Sequence, residues 1–435
     1  MKYTPLNRLP ENASSKNSYK KGDLLVLFGE LFNRGYANGL LEESKKRNLD
    51  VIYSTVGRRQ DGVLRPLNAE ELITAPKPIL NIPLEAGFDL EPAEGGATPT
   101  DLLKSVKMDN WQDFKINWDL VKDSQARAEA RIKEKFKMYM AQLEAHIKPN
   151  QNVLIAHLMA GGVPRARIFM AVLNNVVKAK GDKFIKSSDF WSSDLGRLSD
   201  LNFNDVTANT FRYLVEAAAP MREKLEKSNG SLRFAAYGYH GTEVLVQNNY
   251  QWQSYSPYIQ GWAKLLLEKY SSDFFARGIS TCVYNCPEIL TNSSSIFQGV
   301  EVPLYPLLAA YKKEAPTATY TKNLIDRCQA LLKPNRTLDD LVKITDHFYS
   351  LKNIVQNFNK FEVWPQHNEQ TQMEALVQCS NELIDMHLDP KNLITFILSE
   401  EILKGTGRLI LADSFKMRQP VAWLNHDIIV KQNLE

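Results

Sequence analysis

The chain has 435 residues, of which 44% are hydrophobic and 24% charged, and its formal net charge is +3. That composition describes a soluble globular protein with material for one large domain or two to three ordinary ones. It excludes several classes of partner: there is no basic stripe with interleaved aromatics for nucleic acid and no apolar run long enough to cross a bilayer. The N-terminal MKYTPLNRLPENASSKNSYKKGD lacks the apolar core of a signal peptide. Four cysteines (Cys282, Cys286, Cys328, Cys379) without metal-ligand spacing fit buried thiols in a reducing cytoplasm, and no metal site is expected.

In chain order, residues 1–22 read as a polar surface segment. Leu24 to Phe28 (LLVLF) is a continuous apolar run of the kind a buried parallel strand requires. Gly29 then opens a turn and a helix, and Val51 to Val56 (VIYSTV) is a second strand ending at Gly57-Arg58-Arg59. This strand, glycine turn, helix and strand form a candidate nucleotide-binding unit. Its glycines, Gly29, Gly35 and Gly39, are spaced G-x5-G-x3-G. Small residues there let backbone approach a pyrophosphate at a helix N-terminus. Arginines at the end of the second strand suit a ribose 2′-phosphate, so Arg58 and Arg59 favour NADPH, with NADH the alternative because Asp61 is close by.

Pro78 to Phe88 reads as a third strand and its loop. A long charged helix over about 118–146, within an insertion of about 90–150, precedes the next strand, Val153 to His157. His157 reads as a packed or capping side chain. Residues 165–230 look mainly helical, with Trp191 and Phe203 marking an irregular loop. Leu232 to Tyr237 is a further strand, followed by Gly238-Tyr239-His240-Gly241-Thr242; Tyr250 and Trp252 would pack over its loop. A helix capped by Ser256, with Pro257 in its first turn, should run to Arg277-Gly278. Ile279 to Tyr284 is a last apolar run before Pro287 and Glu288-Ile289-Leu290-Thr291. The fold class is therefore α/β, a Rossmann-like doubly wound parallel sheet over residues 1–315 with a helical insertion. A helical C-terminal region follows over 316–435.

A tyrosine, a lysine downstream on a long helix, Gly-Ile entering a strand and a proline loop ending Ile-Leu-Thr resemble the catalytic half of a short-chain dehydrogenase/reductase. The glycine spacing is similar to that of the bacterial enoyl-acyl carrier protein reductases, a branch with a longer glycine turn. The generic Tyr-x3-Lys pair is absent, because Gln260 lies four residues before Lys264. Tyr255-x8-Lys264 resembles the Tyr-x8-Lys class of those reductases. The resemblance implies an enoyl-acyl carrier protein reductase of fatty acid biosynthesis, acting on an enoyl thioester linked to acyl carrier protein or coenzyme A.

It further implies that Tyr255 donates to the developing enolate oxygen and that Lys264 holds the nicotinamide ribose. Tyr258 would be a second tyrosine near the thioester, or core. Ala160, Gly161 and Thr291 would line the cofactor. No serine occupies the Tyr239 loop and no asparagine precedes Ala160. A reductase of ketones or aldehydes and a non-catalytic nucleotide-binding protein therefore stay open at this point, and the oligomeric state is not fixed.

Overall fold

The computed structural model describes residues 18–178, 181–253, 259–292, 294, 298–355 and 369–434. Its strands are β1 (Leu24–Phe28), β2 (Asp50–Thr55), β3 (Arg58–Gln60), β4 (Val63–Arg65), β5 (Ile79–Pro83) and β6 (Asn152–His157) in the first part. Then come β7 (Ser231–Gly238), β8 (Thr242–Val246), β9 (Asn249–Gln253), β10 (Thr281–Asn285) and β11 (Val421–Trp423). Seven of them form one sheet in the order β11-β10-β7-β6-β1-β2-β5, every neighbouring pair parallel. β3–β4 and β8–β9 are antiparallel hairpins outside it. The protein is thus an α/β, Rossmann-like doubly wound fold.

The apolar strands give this result because both sheet faces are covered. Leu24, Val26 and Phe28 of β1 enter the core on one face, while Leu25 and Leu27 enter the core on the other. That is the two-residue alternation of a strand. The helix Trp118–Glu144 is the crossover between β5 and β6. Its Val121, Ala128, Ile132, Phe136, Tyr139 and Leu143 are buried, a stripe at helical spacing beneath an otherwise charged surface. Phe136 and Tyr139 meet Phe28 edge to face, with ring centroids 4.8 and 5.0 Å away.

Chain connectivity reverses at β1. The chain runs outward through β2 and β5, then returns to place β6 on the other side of β1 in register, Leu24 opposite Val153 and Phe28 opposite His157. The crevice at the carboxyl ends of β1 and β6 is the topological switch point, where open α/β sheets bind ligands.

One expectation is corrected, one falls outside the described residues and one is extended. Trp191 and Phe203 do not mark an irregular loop: they lie on the helices Ser187–Ser192 and Asp194–Phe203. Ser193 separates the two and caps the second through Gly196 N–H. A π-helical turn, Asn204–Asn209, follows. The predicted cap Ser256 and Pro257 lie outside the described residues, and the helix carrying Lys264 starts at Gly261, with Gln260 in the cap position. Residues beyond 315 are mostly helical, but they also supply β11, and their side chains share one core with β1 and β6. The helix Ile394–Ser414 crosses the helix Ala37–Lys46 through facing glycines. A Cβ on Gly39 would lie 1.9 Å from Leu403 O, and one on Gly407 would lie 2.2 Å from Gly39 O.

Candidate active site

The glycine turn meets the sheet at Gly29. Its φ of +116° and the 3.1 Å that a Cβ would leave to Leu158 Cβ make glycine necessary there. Gly35 is different, since a Cβ would meet nothing within 4 Å. Gly39 serves the helix crossing described above. Between them Tyr36 donates through its hydroxyl to Pro287 O at 2.6 Å, and its ring stacks on Tyr237 with centroids 6.0 Å apart. The turn after β1 is thereby tied to the ends of β7 and β10; Tyr36 was missed in the sequence because its partner Pro287 lies 251 positions away.

In the loop after β6, Gly161 has a φ of +117° and open space at its Cβ position. Ala160 is exposed. Gly162 presses on the backbone of Asn202, where a Cβ would come within 2.7 Å of a carbonyl. The Asn202 amide donates to Gly162 O at 2.8 Å and accepts from Phe88 N–H at 2.9 Å, joining the loops after β5 and β6. Asn202 comes from a helix 40 positions beyond Gly162, so no local motif announced it. Thr291, in the loop after β10, donates its N–H to Ser294 Oγ at 2.7 Å. The adjacent Leu290 N–H reaches Ser399 Oγ, at 2.9 Å, on the Ile394–Ser414 helix.

Lys264 lies on the helix Gly261–Ala276, only 4% exposed. Its Nζ donates to Tyr237 O at 2.6 Å. An ammonium has three donors, and this carbonyl is its one hydrogen-bond partner among the described residues. Burial pushes its pKa down to about 8, while Cys286 and Glu268 act in the opposite sense. Tyr255 and Tyr258 lie outside the described residues. Because the helix begins at Gly261, Tyr258 precedes it, and helical spacing does not fix the direction of either tyrosine.

One turn beyond Lys264, Glu268 sits in a buried cluster. Asn285 Nδ2 donates to Glu268 Oε1 at 2.8 Å, and His240 Nδ1 lies 3.1 Å from Glu268 Oε2. His240 N–H in turn donates to Asn285 Oδ1 at 2.8 Å. Gly238 allows this closeness, since a Cβ there would fall 2.2 Å from Asn285 Oδ1. Trp252 packs edge-on to His240 at 5.8 Å. Glu268 and Asn285 were missed in the sequence; a carboxylate four residues after Lys264 was the available signal. His157 is buried, bonded to Thr210 Oγ1 at 2.8 Å, with its pKa pushed to about 3 by burial and by the charge of Lys264.

On the other flank, both arginines are engaged. Arg58 makes a two-pronged pair with Glu30, each contact 2.9 Å. Arg59 Nε meets Glu85 Oε1 at 2.6 Å, and Arg165 joins Glu85 and Asp89. Glu30, directly after Gly29, thus reaches the carboxyl end of β2, where Thr55 Oγ1 and Val56 N–H also face it at 3.4 Å.

A family model for the enoyl-acyl carrier protein reductase FabMG matches residues 2–433. The chain belongs to this family. An apo structure of FabMG, described as a novel type of enoyl-acyl carrier protein reductase, is 42% identical. That match covers 99% of this chain and 97% of the other, with a TM-score of 0.94. An NADH-bound FabMG structure is 36% identical, covers 99% of both chains and has a TM-score of 0.78. No curated protein matches the sequence. Membership in the FabMG family decides between the three readings of the sequence: the protein is a nicotinamide-dependent oxidoreductase that reduces enoyl thioesters in fatty acid biosynthesis. The substrate is the acyl carrier protein-linked enoyl chain.

Proposed function

We propose that the site uses NADH, that Lys264 holds the nicotinamide ribose and that Tyr255 donates to the enolate oxygen as it forms. The observation that carries this reading is the buried Lys264 ammonium at the carboxyl edge of the sheet, with two donors left beyond Tyr237 O. The residues fit a dinucleotide. Gly35 and Gly161 leave open space where side chains would otherwise stand, and the helix starting at Ala37 points its positive N-terminal end toward the turn. The bound cofactor supplies the hydride for the β-carbon of the thioester. Lys264 then orients the ribose and lends its charge to the tyrosine hydroxyl. Tyr255 stabilises the charge that builds on the thioester oxygen, with Tyr258 as a second tyrosine near the thioester. Ala160 and Thr291 border the cofactor from the loops after β6 and β10.

NADH rather than NADPH is supported by the fate of the arginines. Arg58 is neutralised by Glu30, and Arg59 by Glu85. A carboxylate at the end of β2 accepts a ribose hydroxyl and repels a 2′-phosphate, and Glu30 supplies it. The related structure bound to NADH agrees with this choice.

The test is single-turnover oxidation of NADH and NADPH with crotonyl-acyl carrier protein, with crotonyl-coenzyme A beside it, for wild type and Tyr255→Phe. Loss of one oxyanion donor costs on the order of a hundredfold in turnover with little change in binding. A fully active Tyr255→Phe removes the tyrosine assignment, and equal use of NADPH removes the cofactor assignment.

A further inference from the structure

We infer that Glu268 is a positioning residue of the reduction: its buried carboxylate keeps Lys264 in the charged form that grips the cofactor, and fixes His240 and Asn285 beside it. This rests on the reading of Lys264 given above.

The hydrogen bonds define the cluster. His240 N–H can only donate, so the Asn285 atom that receives it is the amide oxygen. Asn285 therefore turns its NH2 to Glu268, whose Oε1 must accept. His240 Nδ1 occupies the other oxygen. A carboxylate served by a side-chain amide and an imidazole, only 2% exposed, is a built anion site. It lies one helical turn from Lys264 on the same helix.

The other groups around Lys264 do not supply this charge. Tyr237, at the end of β7, offers a neutral carbonyl. Cys286, after β10, favours the ammonium only as a thiolate, and burial drives its pKa far above neutrality, so it stands as a neutral thiol. His157 of β6 is held neutral by burial and by Lys264. His240, in the loop after β7, bonds to Glu268 itself. Among the groups that act on Lys264, Glu268 is the carboxylate that favours the ammonium against the pull of burial. Without it, a buried lysine loses its proton at lower pH and can no longer present a cation to the ribose.

The sign of the test follows. Wild-type NADH affinity, measured by calorimetry, should fall as pH rises through about 8, because Lys264 gives up its proton there. Glu268→Gln removes the opposing charge, so the alkaline limb should move down by about one pH unit. NADH binding is then about fivefold weaker than wild type at pH 8 and converges toward it at pH 6. Glu268→Asp keeps the charge and should restore the limb. His240→Ala keeps the carboxylate and should lower turnover while leaving the limb in place.

An unmoved limb in Glu268→Gln overturns the inference. Should that variant fail to fold, a wild-type NADH affinity that is flat from pH 6.5 to 9 overturns it equally, and a limb displaced in Glu268→Asp as far as in the loss of charge does the same. Lys264→Ala separates the two layers. If it binds NADH like wild type, the reading of Lys264 falls and takes this inference with it. If it binds weakly without a limb while Glu268→Gln titrates like wild type, only the role of Glu268 falls.

Discussion

The two flanks of the switch point use the same kinds of charge in opposite surroundings. Beyond β2 and β5, Arg58 meets Glu30 near solvent, with the Arg58 side chain 42% exposed, while Arg59 and Arg165 meet Glu85 and Asp89, whose carboxylates are largely buried. Beyond β7 and β10, Lys264, Glu268 and His240 are sealed against Asn285 and Trp252. Water screens the outermost pair, Arg58–Glu30, which is worth about 0–1 kcal/mol. These pairs hold their members in the charged form: despite burial, Arg165 and Arg59 keep the pKa of Glu85 below its ordinary value, and the acids keep those of Arg58 and Arg165 above theirs. In the second set desolvation makes protonation itself adjustable, and Lys264 titrates near the working range. On the reading proposed above, one edge of the sheet selects a ligand by charge placement, and the other prepares chemistry by charge burial.

The sharpest way to break this contrast is Lys264→Met, which keeps a long apolar stem in the buried flank and removes the cation. It should lower kcat/KM for NADH and crotonyl-acyl carrier protein by at least about a hundredfold, measured by steady-state kinetics, with weaker NADH binding as well. A loss confined to a few fold would mean that the buried flank is only packing.

The glycine turn between the flanks gives a second, smaller test. Gly39→Ala drives a Cβ into the Leu403 carbonyl, so the two helices must part. That overpacking should cost about 1–3 kcal/mol, read as a lower midpoint in denaturant. Gly35→Val adds its side chain to open space and should stay within about 0.5 kcal/mol of wild type in stability while losing NADH affinity. If both variants lose only stability, the turn is structural along its whole length.

The sheet was legible because its strands are buried on both faces. LLVLF is apolar throughout, and VLIAH and LRFAAY are mostly apolar, broken by His157 and Arg233, as strands of a covered parallel sheet are. Gly29 was legible for a local reason, since it ends a strand, and Lys264 was singled out by its spacing from Tyr255. Asn202 and Asn285 were not, because each acts on groups dozens of residues distant. Arg58 and Arg59 misled in a similar way. Their position at a strand end was read correctly, but their partners Glu30 and Glu85 lie 28 and 26 positions away in sequence, so the sequence showed the charge without its neutralisation. β11 was hidden as well, since Val421-Ala422-Trp423 is too short to stand out from the helices around it.

The smallest effect belongs to the exposed flank, at Glu30. Glu30→Gln keeps the size of the side chain and frees Arg58 from its two-pronged pair. The fold should barely respond, because the pair lies near solvent and the stability change stays below about 1 kcal/mol. Cofactor choice should respond more. An amide still accepts from a ribose hydroxyl, so NADH weakens only a few fold. NADPH gains from the loss of repulsion and from an arginine free to meet its phosphate. The ratio of the two dissociation constants should move toward NADPH by roughly tenfold, and the gain should shrink at high salt as screening grows. Arg58→Ala should leave the NADH constant near wild type and give NADPH no gain, since the carboxylate remains and its neutralising partner is lost. Calorimetry with both cofactors at two ionic strengths measures all of this. Equal weakening of NADH and NADPH in Glu30→Gln would place the adenosine ribose away from β2 and leave the charges of that flank with no part in cofactor choice.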